Sequence, residues 1–342
     1  MSNKAEVLST HTPVLFRAAV SAAVALLKAG EVVALPTETV YGLAANALDP
    51  HAVAKIYEIK GRPSHNPIIV HVAGKTMAQA CVTQWTEVAE NLARSFWPGP
   101  LTVVLPRAPA IPDIVTGGGQ TVGVRWPSHP FMQEVIRACD FPLAAPSANP
   151  SNEISPTTAS HVVQRLGHKL SLIIDGGQSQ VGIESTVIDL TSSIPRVLRP
   201  GIIHQESLRA VLGEDCLAAD DEPTPAGSEA LRSPGLLRKH YAPQAKVLIL
   251  EWSSESDLLQ QLSQRSIRSD HACVIAHSQI PSGASLAAVC VIPHDPEAYA
   301  RAIYGELHRC DEEGVKIIII EKTPDTGAWK AVSDRLARAS AS

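Results

Sequence analysis

Apolar residues recur at helical spacing over Val14–Ala29, and Gly30 stands just beyond them as a stop. Glu31–Leu35 then reads as a buried strand closed by Pro36. Asp49-Pro50 predicts a helix start, with aspartate as the N-cap and proline at the first helical position. That helix is expected to run to Ile59 and to deliver Lys60 and Arg62 at its exit. Short apolar runs predict strands at Ile68–Val72, Leu101–Leu105, Thr121–Arg125, Pro142–Ala145, Leu172–Ile174, Ser185–Leu190 and Arg196–Leu198. Helical patterns separate several of them, at Pro130–Ala138, Thr157–Leu166 and Gln205–Leu212, while Ile183–Leu190 and Arg196 leave no room for a helix between them. The fold class expected is therefore α/β, with a twisted mixed sheet flanked by helices.

The pattern changes after Cys216. Ala218–Arg238 is rich in acidic residues, Pro, Gly and Ser, has no clean period, and reads as a linker. Beyond it, apolar runs at Lys246–Leu250, Ala272–Ala276, Ala288–Ile292 and Val315–Ile320 alternate with helical stretches at Ser256–Gln264 and Pro296–Arg309. These predict a small parallel α/β domain. The expected division is a first domain over residues 1–216, a linker over 217–244 and a second domain over 245–342.

A chain of 342 residues accommodates two such domains. With 4% aromatic residues the cores must be mostly aliphatic, and a formal net charge of -5 gives no footprint for tight duplex binding. The cysteines form no C-x-x-C pair, which argues against a structural zinc site or a disulfide framework and for reduced thiols. Ala18–Leu27 is too short to span a bilayer and lacks the layout of a secretory signal, so no membrane association and a cytoplasmic location are expected.

Leu35–Val72 concentrates the candidate chemistry, bringing Thr37, Thr39, Lys60, Arg62, Asn66 and His71 into one strand–helix–strand unit. Lys60 and Arg62, with Arg125 and Arg199, form a cationic set suited to carboxylate or phosphate. Any one of them alone reads as a solvated element end; together they read as a site at the ends of strands and helices. A histidine placed as His71 is, in a strand of apolar residues, more often a satisfied core residue than a ligand. Pro146-Ser147-Ala148-Asn149-Pro150 is a rigid turn presenting Ser147 and Asn149, Ser155-Pro156 reads as a helix cap, and Trp97-Pro98-Gly99-Pro100 reads as a structural corner. Thr116–Gly119 is glycine-rich, but no Gly-Lys-Ser/Thr follows, so there is no P-loop. Neither G-x-S-x-G nor a transition-metal motif occurs.

The segments PTETVYGL (36–43), KGRPSHNPI (60–68), WPGPLT (97–102), TVGVRWP (121–127), PSAN (146–149), GIESTVIDL (182–190) and LRPG (198–201) occur in the order seen in one family. Together with SPGLLRKHYAP (233–243), they make the chain resemble the two-domain form of the threonylcarbamoyl-adenylate synthases. The resemblance implies a YrdC-like domain with a deep cationic cavity and a smaller Rossmann-like domain. It implies a reaction of L-threonine, bicarbonate or CO2 and ATP that forms threonylcarbamoyl-AMP and pyrophosphate. The product would feed the threonylcarbamoyladenosine modification of tRNA next to the anticodon, through separate transferase proteins. Carried over by motif, the threonine site comprises Thr39, His71, Arg125, Ala145 and Ser185. The ATP site comprises Arg62, Asn66, Thr121, Ser147, Ser155 and Arg199, with Lys60 near the phosphates as a second catalytic cation beside Arg62. Tyr241 would reach back over the nucleotide. Leu236–Lys239 depart from a common form of the linker. Mg2+ would arrive on the ATP phosphates, so no protein metal site is expected. A carbamoyl-adenylate domain of the hydrogenase-maturation type shares the fold, but its acylphosphatase and zinc-finger-like regions are not visible. A module that binds RNA weakly is the reading from another class, and the acidic balance and lack of a stacking platform count against it.

Overall fold

The computed structural model describes residues 5–214, 216–218 and 241–341. It divides into two compact units, residues 1–151 with 155–237, and residues 152–154 with 238–342.

The first unit opens with β1 (Glu6–Ser9), α1 (Pro13–Lys28), β2 (Val33–Leu35) and β3 (Gly42–Asn46). α2 (Pro50–Lys60), β4 (Val70–His71), α3 (Lys75–Ala80), α4 (Glu87–Phe96) and β5 (Leu101–Pro106) follow. Then come α5 (Asp113–Thr116), β6 (Thr121–Arg125), α6 (Pro130–Cys139), β7 (Leu143–Ala144) and α7 (Ala159–Leu166). β8 (Leu172–Asp175), β9 (Thr186–Asp189), β10 (Arg196–Arg199) and α8 (Gln205–Leu212) complete it.

The Asp49-Pro50 start acts as expected, with Asp49 Oδ1 accepting from His51 N at the head of α2. Thr12 Oγ1 likewise accepts from Leu15 N at the head of α1, and Gly61 ends α2 at φ +59°. One cap differs. Ser155 does not begin a helix; Thr158 caps α7, because its hydroxyl is the one in reach of His161 N. α4 was not evident from the pattern. Its buried face is Ala89, Leu92 and Ala93, and alanine carries little signal in an apolar period.

The strands form one mixed sheet in the order β1-β8-β2-β3-β7-β4-β6-β5-β9-β10. β4 runs parallel to β6 and antiparallel to β7, while β5 runs antiparallel to β6 and parallel to β9. Alternation along β2 sets the layers: Val33 and Leu35 join the cluster under α1 and α6, and Ala34 joins the cluster that receives α2, α4 and α7. Both faces of the sheet are therefore buried in aliphatic side chains, so polar groups along its middle must find partners there.

The second unit contains β11 (Lys246–Leu250), α9 (Glu255–Gln264), β12 (Ala272–Ala276), β13 (Ala288–Val291), α10 (Pro296–Glu312), β14 (Ile317–Glu321) and α11 (Lys330–Ser340). Its sheet, in the order β11-β14-β12-β13, is wholly parallel. Leu258 and Leu262 of α9 pack on Val274 and Ile319. Among the described residues, no helix is long and apolar enough to cross a membrane.

Gly201, after β10, lies against the start of β9. A Cβ there would stand 2.3 Å from Thr186 N and 2.7 Å from Thr186 Oγ1, whose amide is bonded to Pro100 O. Gly201→Ala is expected to destabilise the chain by about 1–3 kcal/mol through forced backbone movement. The check is the urea midpoint at unchanged m; a midpoint within error of the parent would refute the account.

Candidate active site

The turn leaving β2 is organised by hydroxyls. Thr37 Oγ1 lies 2.6 Å from Val40 O and donates to it, so the proton in the 2.9 Å contact between Thr37 and Thr39 comes from Thr39. Arg125 Nη1 then donates to Thr39 Oγ1 at 3.0 Å. The chain of donors is thus fixed from Arg125 through Thr39 and Thr37 to a backbone carbonyl.

Arg125 ends β6 and is 3% exposed. Its Nε donates to Gly99 O at 3.3 Å, which brings the Trp97–Pro100 corner into the site through its backbone. Nη2 stands 2.7 Å from Glu38 Oε1. Burial pushes the Glu38 carboxyl up, but the neighbouring guanidinium outweighs it and the acid is held below the usual carboxylate range. His71 sits opposite Arg125 in the β4–β6 register. Burial, reinforced by Arg125, drives its pKa down to about 3, so the imidazole is neutral.

These groups are shielded from water yet incompletely matched. The Glu38 carboxylate is held by the Arg125 guanidinium and by backbone N–H groups, while His71 Nδ1 has no partner in the protein. His71 is hydrogen-bonded to the backbone of Ile69, as its place in an apolar strand leads one to expect, and its Nδ1 is left open.

The segment after β8 is attached to this turn. Val181 N donates to Glu38 O at 2.7 Å and Gly182 N to Thr39 O at 3.1 Å, with Gly182 at φ +86°, a conformation glycine adopts without steric cost. Glu184 follows, accepting from Ser155 Oγ at 2.5 Å. Ser185 Oγ shares a proton with Thr102 Oγ1 at 2.8 Å and accepts from Arg199 Nη2 at 3.1 Å, while Arg199 Nε holds Ser185 O.

A third group forms around the exit of α2. The buried Lys60 ammonium donates to the carbonyls of Ser147 and Asn149, fixing the Pro146–Pro150 turn. Arg62 holds its own loop through Asn66 O, Asn66 Oδ1 and Pro67 O, at 3.0, 2.8 and 2.6 Å. The Tyr57 hydroxyl lies 3.0 Å from Asn66 O, and burial raises its pKa. Ser147 bridges Gly42, and Ala145 N donates to Ile69 O, so the turn and β4 meet at the start of β3. Gly42 lies close beneath Ala145: a Cβ placed on Gly42 would stand 3.3 Å from that of Ala145. Thr121, at the head of β6, lines a shallow cleft with Thr102, Thr116 and Pro67.

Of the predicted residues, Thr39, His71 and Arg125 form one group, Ser185 and Arg199 a second, and Lys60, Arg62, Asn66 and Ser147 a third. Ser155 joins the second through Glu184 and its neighbour Ser185. Tyr241 belongs to the second unit, where its ring packs against Tyr304 at 6.0 Å and under the Arg335 guanidinium at 5.2 Å. His240 and Leu236–Lys239 lie outside the described residues.

Sequence reasoning missed Glu38, Glu184, Thr102 and Tyr57. Glu38 had a readable signal: a carboxylate between two hydroxyls just past a buried strand. Glu184 had a weaker one, in the bend before β9. Thr102 looks like an ordinary strand residue, and nothing in the pattern gives away its contact with Ser185.

Among the described residues no group of three or more His, Cys, Asp or Glu is arranged to hold a metal ion. The cations and hydroxyls suit an anionic ligand.

Known proteins resemble the chain over nearly its whole length. Residues 25–201 match the Sua5/YciO/YrdC family model, described as telomere recombination, and residues 203–341 match the model described as the threonylcarbamoyl-AMP synthase C-terminal domain. The threonylcarbamoyl-AMP synthase of Pyrococcus abyssi is 40% identical, over 93% of each chain. That of Bacillus subtilis is 41% identical, over 97% of this chain and 94% of its own. The crystal structure of P. abyssi Sua5 complexed with L-threonine superposes with a TM-score of 0.87 at 36% identity, covering 98% of this chain and 97% of that one. With both family models matched in order and full-length relatives at this identity, the chain belongs to the threonylcarbamoyl-AMP synthase family of enzymes, in its two-domain Sua5 form.

Proposed function

We propose that this chain joins L-threonine, CO2 or bicarbonate, and MgATP into threonylcarbamoyl-AMP, releasing pyrophosphate. The product would serve a separate transferase that modifies tRNA next to the anticodon. The observation that carries the reading is the shielded group of Arg125, His71 and Thr39. It sets a buried guanidinium beside a neutral imidazole whose Nδ1 has no partner in the protein, as a small polar substrate would require.

Arg125 takes the threonine carboxylate. Thr39, His71, Ala145 and Ser185 surround the rest of the amino acid, with Ala145 leaving room that a larger side chain would fill. His71 is neutral, so its unprotonated ring nitrogen is an acceptor for a substrate proton. The threonine amine attacks the carbon of CO2, forming a C–N bond and releasing a proton; from bicarbonate, hydroxide also leaves. A carbamate oxygen then attacks the α-phosphorus as the bond to pyrophosphate breaks. The protein need supply only alignment and countercharge, and no side-chain nucleophile is involved.

Arg62, Asn66, Thr121, Ser147, Ser155 and Arg199 are assigned to ATP, with Lys60 near the phosphates. Lys60 already ties down the Ser147 turn, so it shapes the nucleotide site as well as its charge. The metal enters on the phosphates, neutralising charge on the leaving pyrophosphate. Tyr241 is assigned to the nucleotide by its motif, and 217–244 is the connecting segment.

Purified protein with labelled ATP, threonine and bicarbonate is expected to release pyrophosphate only when threonine is present; release indifferent to threonine would refute the assignment. Arg62→Ala is expected to lower that rate by about 100-fold or more at native-like melting behaviour, since it removes charge-assisted contacts at the nucleotide loop. Near-normal turnover would remove Arg62 from the site. In a filter-binding salt series with tRNA, tight salt-dependent retention would instead favour an RNA-binding module.

His71 also gives a pH prediction. Its folded pKa of about 3 lies below the usual histidine value of about 6.5, so the unfolded chain binds the extra proton. Its contribution to stability is complete above pH ~6.5 and is lost as pH falls toward 3. Replacing His71 with Asn should reduce the loss of stability between those limits by up to one proton's worth, read from urea midpoints across pH. An unchanged slope would contradict a buried neutral imidazole.

A further inference from the structure

Glu38 has no part in the assignment above, yet it is the group the site's charge balance turns on. It is 5% exposed, and its carboxylate stands 2.7 Å from Arg125 Nη2. A site meant only to attract a carboxylate would leave Arg125 uncompensated. Here the guanidinium charge is already balanced, which weakens its pull on a simple anion.

The buried charges define what the ligand must bring. Glu38 Oε1 and Arg125 Nη2 face each other, so the pair presents an anionic acceptor beside a cationic donor, and His71 Nδ1 is a further acceptor without a protein partner. His71 is neutral and adds no charge. The complementary ligand therefore carries a cationic donor beside an anionic acceptor, with no net charge. The zwitterion of an α-amino acid has that form, its ammonium and carboxylate being one carbon apart. Glu38 and Arg125 supply the opposite charges side by side.

We propose that Glu38 is the ammonium-binding residue of this site, so that the amino acid is taken up as its zwitterion with its carboxylate on Arg125. The inference rests on the function proposed above and adds the ionic form of the substrate and the residue that selects it. Charges then alternate around the site: carboxylate on arginine, arginine beside glutamate, glutamate on ammonium. Each buried charge has an opposite neighbour, and the complex buries no excess charge. Amino acids are selected over hydroxy acids and oxo acids of the same shape, because those lack the cationic donor and leave Glu38 unmatched.

The test is equilibrium binding to the full chain by calorimetry, without ATP. The ligands are L-threonine and 2,3-dihydroxybutanoate, which keeps the carboxylate and β-hydroxyl but replaces the amine. The parent protein is expected to prefer threonine by about 100-fold or more, the scale of a buried charge left without its partner. Glu38→Gln preserves shape and removes the charge; it should weaken threonine and collapse the preference to within a few-fold, with the hydroxy acid bound as well as before or better. Glu38→Asp should restore part of the preference, which a merely structural role would not do. Equal binding of the two ligands by the parent overturns the proposal without any variant. So does a folded Glu38→Gln protein that keeps the parent's preference. If the parent binds neither ligand, the threonine reading itself fails.

Discussion

An arginine cannot give up its charge to enter a protein interior, and Arg125 lies at the end of a central strand whose faces are both covered by aliphatic side chains. Its surroundings follow from that constraint. The carboxylate of Glu38 stands against one guanidinium nitrogen, the hydroxyl of Thr39 meets another, and Gly99 O receives Nε. Those three groups come from two loops far apart in the chain, so solvating one side chain fixes both loops on the sheet. Desolvating such a pair costs more than an apolar replacement would, and removing either partner leaves a buried charge exposed to that cost, about 3–5 kcal/mol. An arrangement that costly for stability makes sense where a ligand completes it.

The other cations follow a different rule. Lys60 is bound to carbonyls 87 and 89 residues along the chain, and Arg199 grips both the backbone and the hydroxyl of Ser185. Arg62 gathers three acceptors of its own loop. Each shapes a backbone turn before any ligand arrives. In a P-loop, one glycine-rich turn wraps its amides around phosphate. Here no such turn exists, and charged side chains hold several polar turns from separate elements in place. The cost of ordering them is met during folding, which leaves a site organised for alignment.

Much of this was legible in the sequence. The buried strand closed by Pro36, the Asp49-Pro50 start and the Gly30 stop are local signals, and they hold because local geometry decides them. The motifs also gave the candidate polar residues, since a hydroxyl or cation beside a strand end has few uses. Partners were not legible. Nothing near Lys60 announces that its ammonium binds the carbonyls of Ser147 and Asn149, because the parallel and antiparallel pairings that bring those segments together are non-local. Ser155 shows the same limit. As a residue before proline it reads as a cap, but a carboxylate delivered by another loop takes its hydroxyl, and Thr158 caps the helix. Glu38 was in plain view and was passed over, because its significance lies in Arg125 more than eighty residues away.

The second unit shows why fold alone does not locate chemistry. A parallel sheet of this kind places ligands beyond the carboxyl ends of its strands, where loop amides are free to meet an anion. Beyond β12 those amides already have one. The Glu321 carboxylate, at the end of β14, accepts from the backbone N–H groups of His277, Ser278 and Gln279 and from the Ser278 hydroxyl. These bonds hold its acid below the ordinary range against the opposing effect of burial. The chain's own carboxylate thus occupies the position a phosphate would take, and a nucleotide would have to displace a covalently tethered anion. In the first unit the order is reversed: side chains organise the turns, and His71 Nδ1 beside the buried Glu38–Arg125 pair is left without a partner.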